Sequence, residues 1–273
     1  MVARAVGDGH PSEGRKAHIV PDTDGKLVGF TKASMDYMYL HERSETGQDE
    51  KFNPPHLLMV EHKHGRVWAD RVHKKGVNAG ASWLPKRIVQ DWDNNGMKDA
   101  LIQFKTDQEP AIVQLQAAIQ EIRTVPVLPV NSPVGESESN GRVENAIKRV
   151  QEKIRSLRSQ IEHNTRQGIR DDTPIMAWLV RWAVELISRH APAEDGKSAF
   201  ERIRKEKCVV PLAMFGETVL YLPLKTAKGP KGQTARRVGT WLGTIERIEE
   251  VLIGTDRGVI KCRSISRLPD GEK

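Results

Sequence analysis

The chain has 273 residues, 38% hydrophobic and 29% charged, enough for a core domain of about 150 residues and a smaller one. Its formal net charge of +7 favours a polyanionic partner over an acidic or neutral one. No apolar run reaches the roughly 18–20 residues that span a bilayer, the start has no apolar leader, and Cys208 and Cys262 form no CxxC pair, which argues against membrane, secreted, disulfide-stapled and zinc-module classes.

In chain order, residues 1–30 are polar and Gly-rich without periodicity and read as a flexible lead-in. Ala33–Leu40 reads as a strand, with Asp36 in its middle, an awkward place for a charge with no task. Residues 41–55 are a polar excursion. His56–His62 and Arg66–Val72 read as a hairpin about Lys63, His64 and Gly65. Ser82 would cap a helix with Pro85 in its first turn and Gly96 beyond its end. Ala100–Thr106 is a further strand that stops just before Asp107, and Ala111–Arg123 an amphipathic helix. Pro126–Val130 is a short strand whose two prolines suit an edge or a strand end.

The segment Gly141–Ile161 has apolar residues at 143, 146, 147, 150, 154, 157 and 161, the spacing of one helical face. Glu144, Lys148, Gln151, Arg155 and Arg158 form a second stripe roughly a quarter-turn away. Such a stripe suits a metal-binding acid followed by phosphate contacts, and equally an exposed face with i,i+4 pairing such as Glu144 with Lys148. Asn140 is a candidate N-cap of this helix. Thr173 and Pro174 open another helix, to about His190. From Val210 short β-runs separated by glycines and charged turns predict a small five-strand barrel. Lys225, Lys228, Lys231, Arg236 and Arg237 crowd Tyr221–Gly239 without an acid, either a polyanion contact or a solvated basic loop. The fold class is therefore α/β, a mixed sheet with flanking helices, plus a small all-β barrel.

Asp36, Asp107 and Glu144 are two strand acids and one helix acid, with 36 residues between the last two. That is the set a two-metal phosphoryl-transfer site requires, and carboxylate oxygens select Mg²⁺, with Mn²⁺ as substitute. The preceding loop, with Gly135, Ser139, Asn140 and Gly141, is rich in residues that tolerate irregular backbone, and a flexible loop there would let a long substrate enter and leave. Glu136 and Glu138 are rival ligands on that loop, which positions a carboxylate less well than a helix does. Asp70 is a rival for the first acid, but lies in the third strand.

The stretches MDYMYL, TDQEPAI and SPVGESESNGRVENAIKRVQEKIRSLR, with WLVRWAVELISRHAP and GKSAFERIRKEK after them, resemble integrases of the retroviral and LTR-retrotransposon type, segments of a Pol polyprotein. The likeness covers about residues 33–205, and the terminal β-region more loosely. It implies an RNase H-like core at 31–192, a linker helix at 193–209 and an SH3-like DNA-binding barrel at 210–273. It also implies an Asp36–Asp107–Glu144 triad holding two Mg²⁺ ions, Asp36 bridging them. The implied activity trims DNA ends and joins their 3′-hydroxyls to target DNA, a DDE-type polynucleotidyl transferase. Lys148, Arg149, Arg155 and Arg158 near the site, and Lys228, Lys231, Arg236 and Arg237 on the barrel, are the expected contacts to double-stranded DNA.

The resemblance further implies a homo-oligomer acting inside the cell, in the nucleus when chromosomal DNA is the target. Two departures stand out. The gap from Asp36 to Asp107 holds 70 residues, the 41–55 excursion accounting for the excess. No zinc domain is expected in this chain, since His10 and His18 have no cysteine partners nearby. The competing readings are a decayed or co-opted integrase that only binds DNA, and a nuclease acting on RNA–DNA hybrids.

Overall fold

The computed structural model describes residues 30–40, 54–78, 80–106, 109–131, 141–171, 173–208, 213–223, 236–245 and 250–269. Five strands make one mixed sheet in the order β3-β2-β1-β4-β5: β1 (Phe30–Met38), β2 (His56–Glu61), β3 (Val67–Arg71), β4 (Leu101–Thr106) and β5 (Val127–Asn131). β1, β2 and β3 form an antiparallel meander, and β4 and β5 run parallel to β1. The hairpin forms at the expected residues: Gly65 takes φ +81° and the buried Glu61 carboxylate accepts the Lys63 and His64 amides at 2.6 and 2.8 Å. β5 lies at an edge, where Pro129 can sit without an N–H to donate.

Strand alternation divides the sheet into two faces. Ala33, Met35 and Tyr37 of β1, with Leu57, Met59, Ile102 and Phe104, face helices α1 (Leu84–Asn94) and α2 (Pro110–Ile122). Trp92 of α1 meets Phe104 edge-on at 5.4 Å. Arg123, just past α2, donates to the carbonyls of Met97, Lys98 and Ala100 and so ties down the turn leading into β4. Ser82 is not the cap of α1. The helix begins one residue later, at an N-cap position held by Trp83, whose indole N–H donates to Gly80 O instead. That places Trp83 outside the buried series Leu84, Ile88 and Trp92, and it is 43% exposed.

On the other face lie α3 (Gly141–Thr165) and α4 (Pro174–His190). α3 buries Val143, Ala146, Val150, Ile154, Leu157 and Ile161, the predicted stripe with Ile147 at its margin. A short α5 (Ala199–Arg204) follows, capped by the Ser198 hydroxyl. Among the described residues the C-terminal β-runs give four strands rather than five: β6 (Thr218–Pro223), β7 (Arg237–Thr244), β8 (Val251–Thr255) and β9 (Gly258–Arg267). Four suffice for closure because β6 pairs with both β7 and β9.

The barrel packs on α4 and shares a hydrophobic core with α3 and the sheet. Trp182 of α4 and Trp241 of β7 stack edge-to-face at 4.8 Å. Gly243, at φ +121°, leaves room for this: a Cβ there would come within 2.9 Å of the Trp182 ring. Arg189 of α4 donates to Thr244 Oγ1 at 2.6 Å across the same junction. No helix among the described residues is long and apolar enough to cross a membrane.

Candidate functional site

Asp36 occupies the centre of β1 on the face covered by α3. Its cross-strand partner is Leu58, which packs in the α3–α4 core, while Met35 and Tyr37 on either side point to α1 and α2. Asp36 is half-buried, and its Oδ1 accepts the Tyr37 amide at 2.6 Å.

Two hydrogen bonds fix how α3 runs along β1. Arg142 in its first turn donates to His62 O at 3.0 Å, beyond the end of β2, and Gln151 donates to Tyr39 O at 2.9 Å, beyond the end of β1. Glu144 lies between these anchors, exposed at the helix surface. It is seven residues before Gln151, about 20° short of two full turns, so the two share a flank of the helix. The flank carrying Glu144 is therefore the one that Gln151 ties to the C-terminal half of β1, where Asp36 stands.

Asp107 lies outside the described residues; β4 ends at Thr106 directly before it, and α2 begins at Pro110. Among the described residues no three His, Cys, Asp or Glu side chains converge on a cation position. The two described carboxylates fit a hard divalent ion by donor type, being oxygen ligands from different elements on one side of the sheet. Glu136, Glu138, Gly135, Ser139 and Asn140 also lie outside the described residues, while Gly141 opens α3.

Asp70 stands on the opposite face. It pairs in register with Leu57, which faces α1 and α2, so it points away from α3 and Glu144. Its neighbour there is Asp91 of α1, whose carboxylate pairs with Arg87 at 3.0 Å. Burial pushes Asp91 up to about 7, against the pull of Arg87 and with the charge of Asp70 adding to the rise. The folded protein thus holds a proton between pH 4 and 7 that the unfolded chain has lost, and stability falls as pH rises through that window. Asp91→Asn is expected to add about 2–4 kcal/mol at pH 8 and almost nothing at pH 4. Urea unfolding of both proteins at the two pH values tests it; a less stable variant at pH 8 would show that the ionised pair with Arg87 dominates. The comparison between variant and parent matters because His56 and His62 tilt the other way. Burial and nearby cations bring both down to about 4, so their contribution is lost as pH falls from 6.5 towards 4.

The predicted DNA contacts fall into three groups. Lys148 and Arg149 are exposed on α3, and Arg155 borders a small cavity beside Leu40 and Met176. Arg158 is taken up internally, bonded to Glu162, Asp171 and the Ile169 carbonyl. On the barrel, Arg237 lines an open groove of about 660 Å³ with Arg257, Lys261 and Thr255, and Arg236 precedes β7; Lys228 and Lys231 lie outside the described residues.

Lys75 near Asp36 is absent from the predicted set. Its ammonium bonds Glu109 Oε2 at 2.8 Å and sits 5.1 Å from the Tyr37 ring centroid. Burial works against its charge, yet Glu109, Tyr39 and Asp36 together hold its pKa above the ordinary lysine value. Nothing in the local sequence signals this, because the loop carrying Lys75 reaches Glu109 only through the tertiary fold. Lys32 was also missed, although strand parity offered a signal: residues 32, 34 and 36 share a face.

No family model matches the chain, and no curated protein matches it. Solved structures with some likeness to it include a chain from the simian T-cell lymphotropic virus intasome in complex with PP2A regulatory subunit B56 gamma. That chain is 13% identical with a TM-score of 0.44, over 88% of this chain and 79% of its own length. The catalytic core domain of BIV integrase is 13% identical with a TM-score of 0.43, over 64% of this chain and 93% of that one. The HTLV-2 integrase catalytic core domain in complex with magnesium is 14% identical with a TM-score of 0.41, over 63% of this chain and 94% of that one.

Proposed function

We propose that this chain is the catalytic core and DNA-binding barrel of a retrotransposon integrase, which processes DNA ends and joins their 3′-hydroxyls to target DNA. The observation that carries the reading is the placement of Asp36 and Glu144: a strand-centre carboxylate on the face under α3, and a helix carboxylate on the flank that Gln151 ties to that strand. The parallel strand beside β1 ends one residue before the third acid, Asp107. In this reading the sheet and α1–α4 form an RNase H-like core and β6–β9 an SH3-like barrel.

Asp36, Asp107 and Glu144 would hold Mg²⁺, which when bound activates the attacking oxygen and neutralises the leaving one. Asp36 and Glu144 would hold their part of the site in place by their attachment to a strand and a helix. Lys148 and Arg149, exposed on the same helix as Glu144, would hold the phosphate backbone of the entering strand, and Arg237 with the barrel groove a more distant stretch.

The test is strand transfer. A labelled duplex and a plasmid target are incubated with the protein in Mg²⁺ or Mn²⁺, beside Glu144→Gln. Joined products from the parent and none from the variant are expected. Silence from both with duplex still bound would replace the reading with that of a co-opted DNA-binding protein, and absence of duplex binding would remove both.

A further inference from the structure

On the same face as Asp36, towards the N-terminal end of β1, a cavity of about 390 Å³ is lined by Phe30, Lys32, His62, Lys63 and Arg142. No acid among the described residues lines it. Glu61, the nearest along the chain, is buried and turned into the hairpin, where it accepts the Lys63 and His64 amides and the His64 ring.

The cavity is fixed rather than casual. His62 is locked from two sides, its Nε2 2.8 Å from Ser34 Oγ and its carbonyl accepting from Arg142. The Lys32 ammonium rests 5.6 Å from the Phe30 ring centroid. Lys105 of β4, paired in register with Ser34, adds a further cation on this side, where α3 and α4 cover β1, β2 and β3. Burial and the charges of Arg142, Lys32 and Lys105 bring His62 down to about 4, so the ring is neutral at neutral pH and the described lining of the pocket gathers cations without a carboxylate.

We propose that this pocket is a binding site for the phosphodiester backbone of the DNA strand that enters the Asp36–Glu144 site, with Lys32, Lys63 and Arg142 as its phosphate contacts. The inference rests on the nucleic-acid reading above and extends it to residues outside the predicted contact set. Strand geometry supports the placement. Lys32 and Asp36 share a face four residues apart, about 13 Å at 3.3 Å per residue. Along a duplex axis that span equals about four base-pair steps at 3.4 Å each, so a duplex that reaches Asp36 along β1 passes over the pocket. Arg142 and Glu144 project from opposite flanks of the Val143 stripe, so the cation reaches the pocket while the acid faces β1.

The experiment measures duplex binding by fluorescence anisotropy over a salt series for the full chain, Lys32→Glu with Arg142→Glu, and Lys86→Glu as a charge control on exposed α1 surface. The double variant is expected to lose at least about tenfold in affinity and to show a salt slope shallower by about 0.9 per lost contact, with the control near parental. Because Arg142 also bonds His62 O, a second readout uses the unaltered chain: the His62 ring resonances should shift when duplex is added. Parental affinity and slope in the double variant, with His62 unmoved, would overturn the pocket while leaving DNA binding intact. A chain that binds no duplex at all would overturn both.

Discussion

Asp36→Asn is expected to lower DNA end joining by about 10³-fold or more while leaving the fold intact. Metal-bound carboxylates support several kcal/mol of transition-state charge stabilisation, and each 1.36 kcal/mol is a decade in rate. Asn keeps the shape and can still accept the Tyr37 amide through its carbonyl oxygen, so the local strand structure has no reason to change. What disappears is the negative charge of one carboxylate that would hold the cation in the proposed site. A thermal readout separates this from misfolding. Millimolar Mg²⁺ should raise the melting temperature of the parent by preferential binding to the folded state and should leave Asp36→Asn unmoved. An active Asp36→Asn would remove the acid from the proposed site, and an unchanged parental melting temperature in Mg²⁺ would count against an intact cation site.

Glu185→Ala carries the largest expected cost in stability, about 3–5 kcal/mol by chemical denaturation. Glu185 of α4 bonds Arg66 at 2.6 Å and Arg189 at 2.9 Å, and Arg189 continues to Thr244 on the barrel. Both guanidinium groups are almost wholly buried. Burial opposes the ionised carboxylate, yet Arg66, Arg189 and Arg181 outweigh it and hold Glu185 below the ordinary glutamate range. Removing the acid leaves two buried cations without the carboxylate that neutralises them, which costs far more than the intact network contributes. Glu185→Gln keeps a hydrogen-bond acceptor and should fall between the two. A loss under 1 kcal/mol for Glu185→Ala would mean that water reaches the arginines.

The order of elements was legible because each rests on a local pattern. The β1 alternation, the Pro-marked edge of β5 and the six buried residues of α3 all follow from spacing along the chain. The positions of Asp36 in a strand and Glu144 on a helix were legible for the same reason, one as a charge inside an apolar strand, the other beside an apolar helical stripe. Ser82 was misread because a helix start shifted by one residue moves a side chain about 100° around the axis. The long-range partners of Arg66 and Arg158 were not legible at all. Arg66 meets Glu185 across 119 residues, and Arg158 meets Asp171 only because the chain turns back after α3. Strand parity would have set Asp70 apart from Asp36 only once the pairing of Asp70 with Leu57 was known.

Residues 31–192 and 210–273 differ in composition enough to look like separable pieces, yet the contact between them is made of Trp182, Trp241, Gly243 and the buried Arg189. A chain cut after residue 192 would expose the Trp182 ring and strip Arg189 of its bond to Thr244, and a barrel released alone would present Trp241 to water in the same way. Unfolding is therefore a shared event: loosening β7 withdraws support from α4, and α4 is what covers β3. Sheet and barrel share one hydrophobic core and are best expressed together.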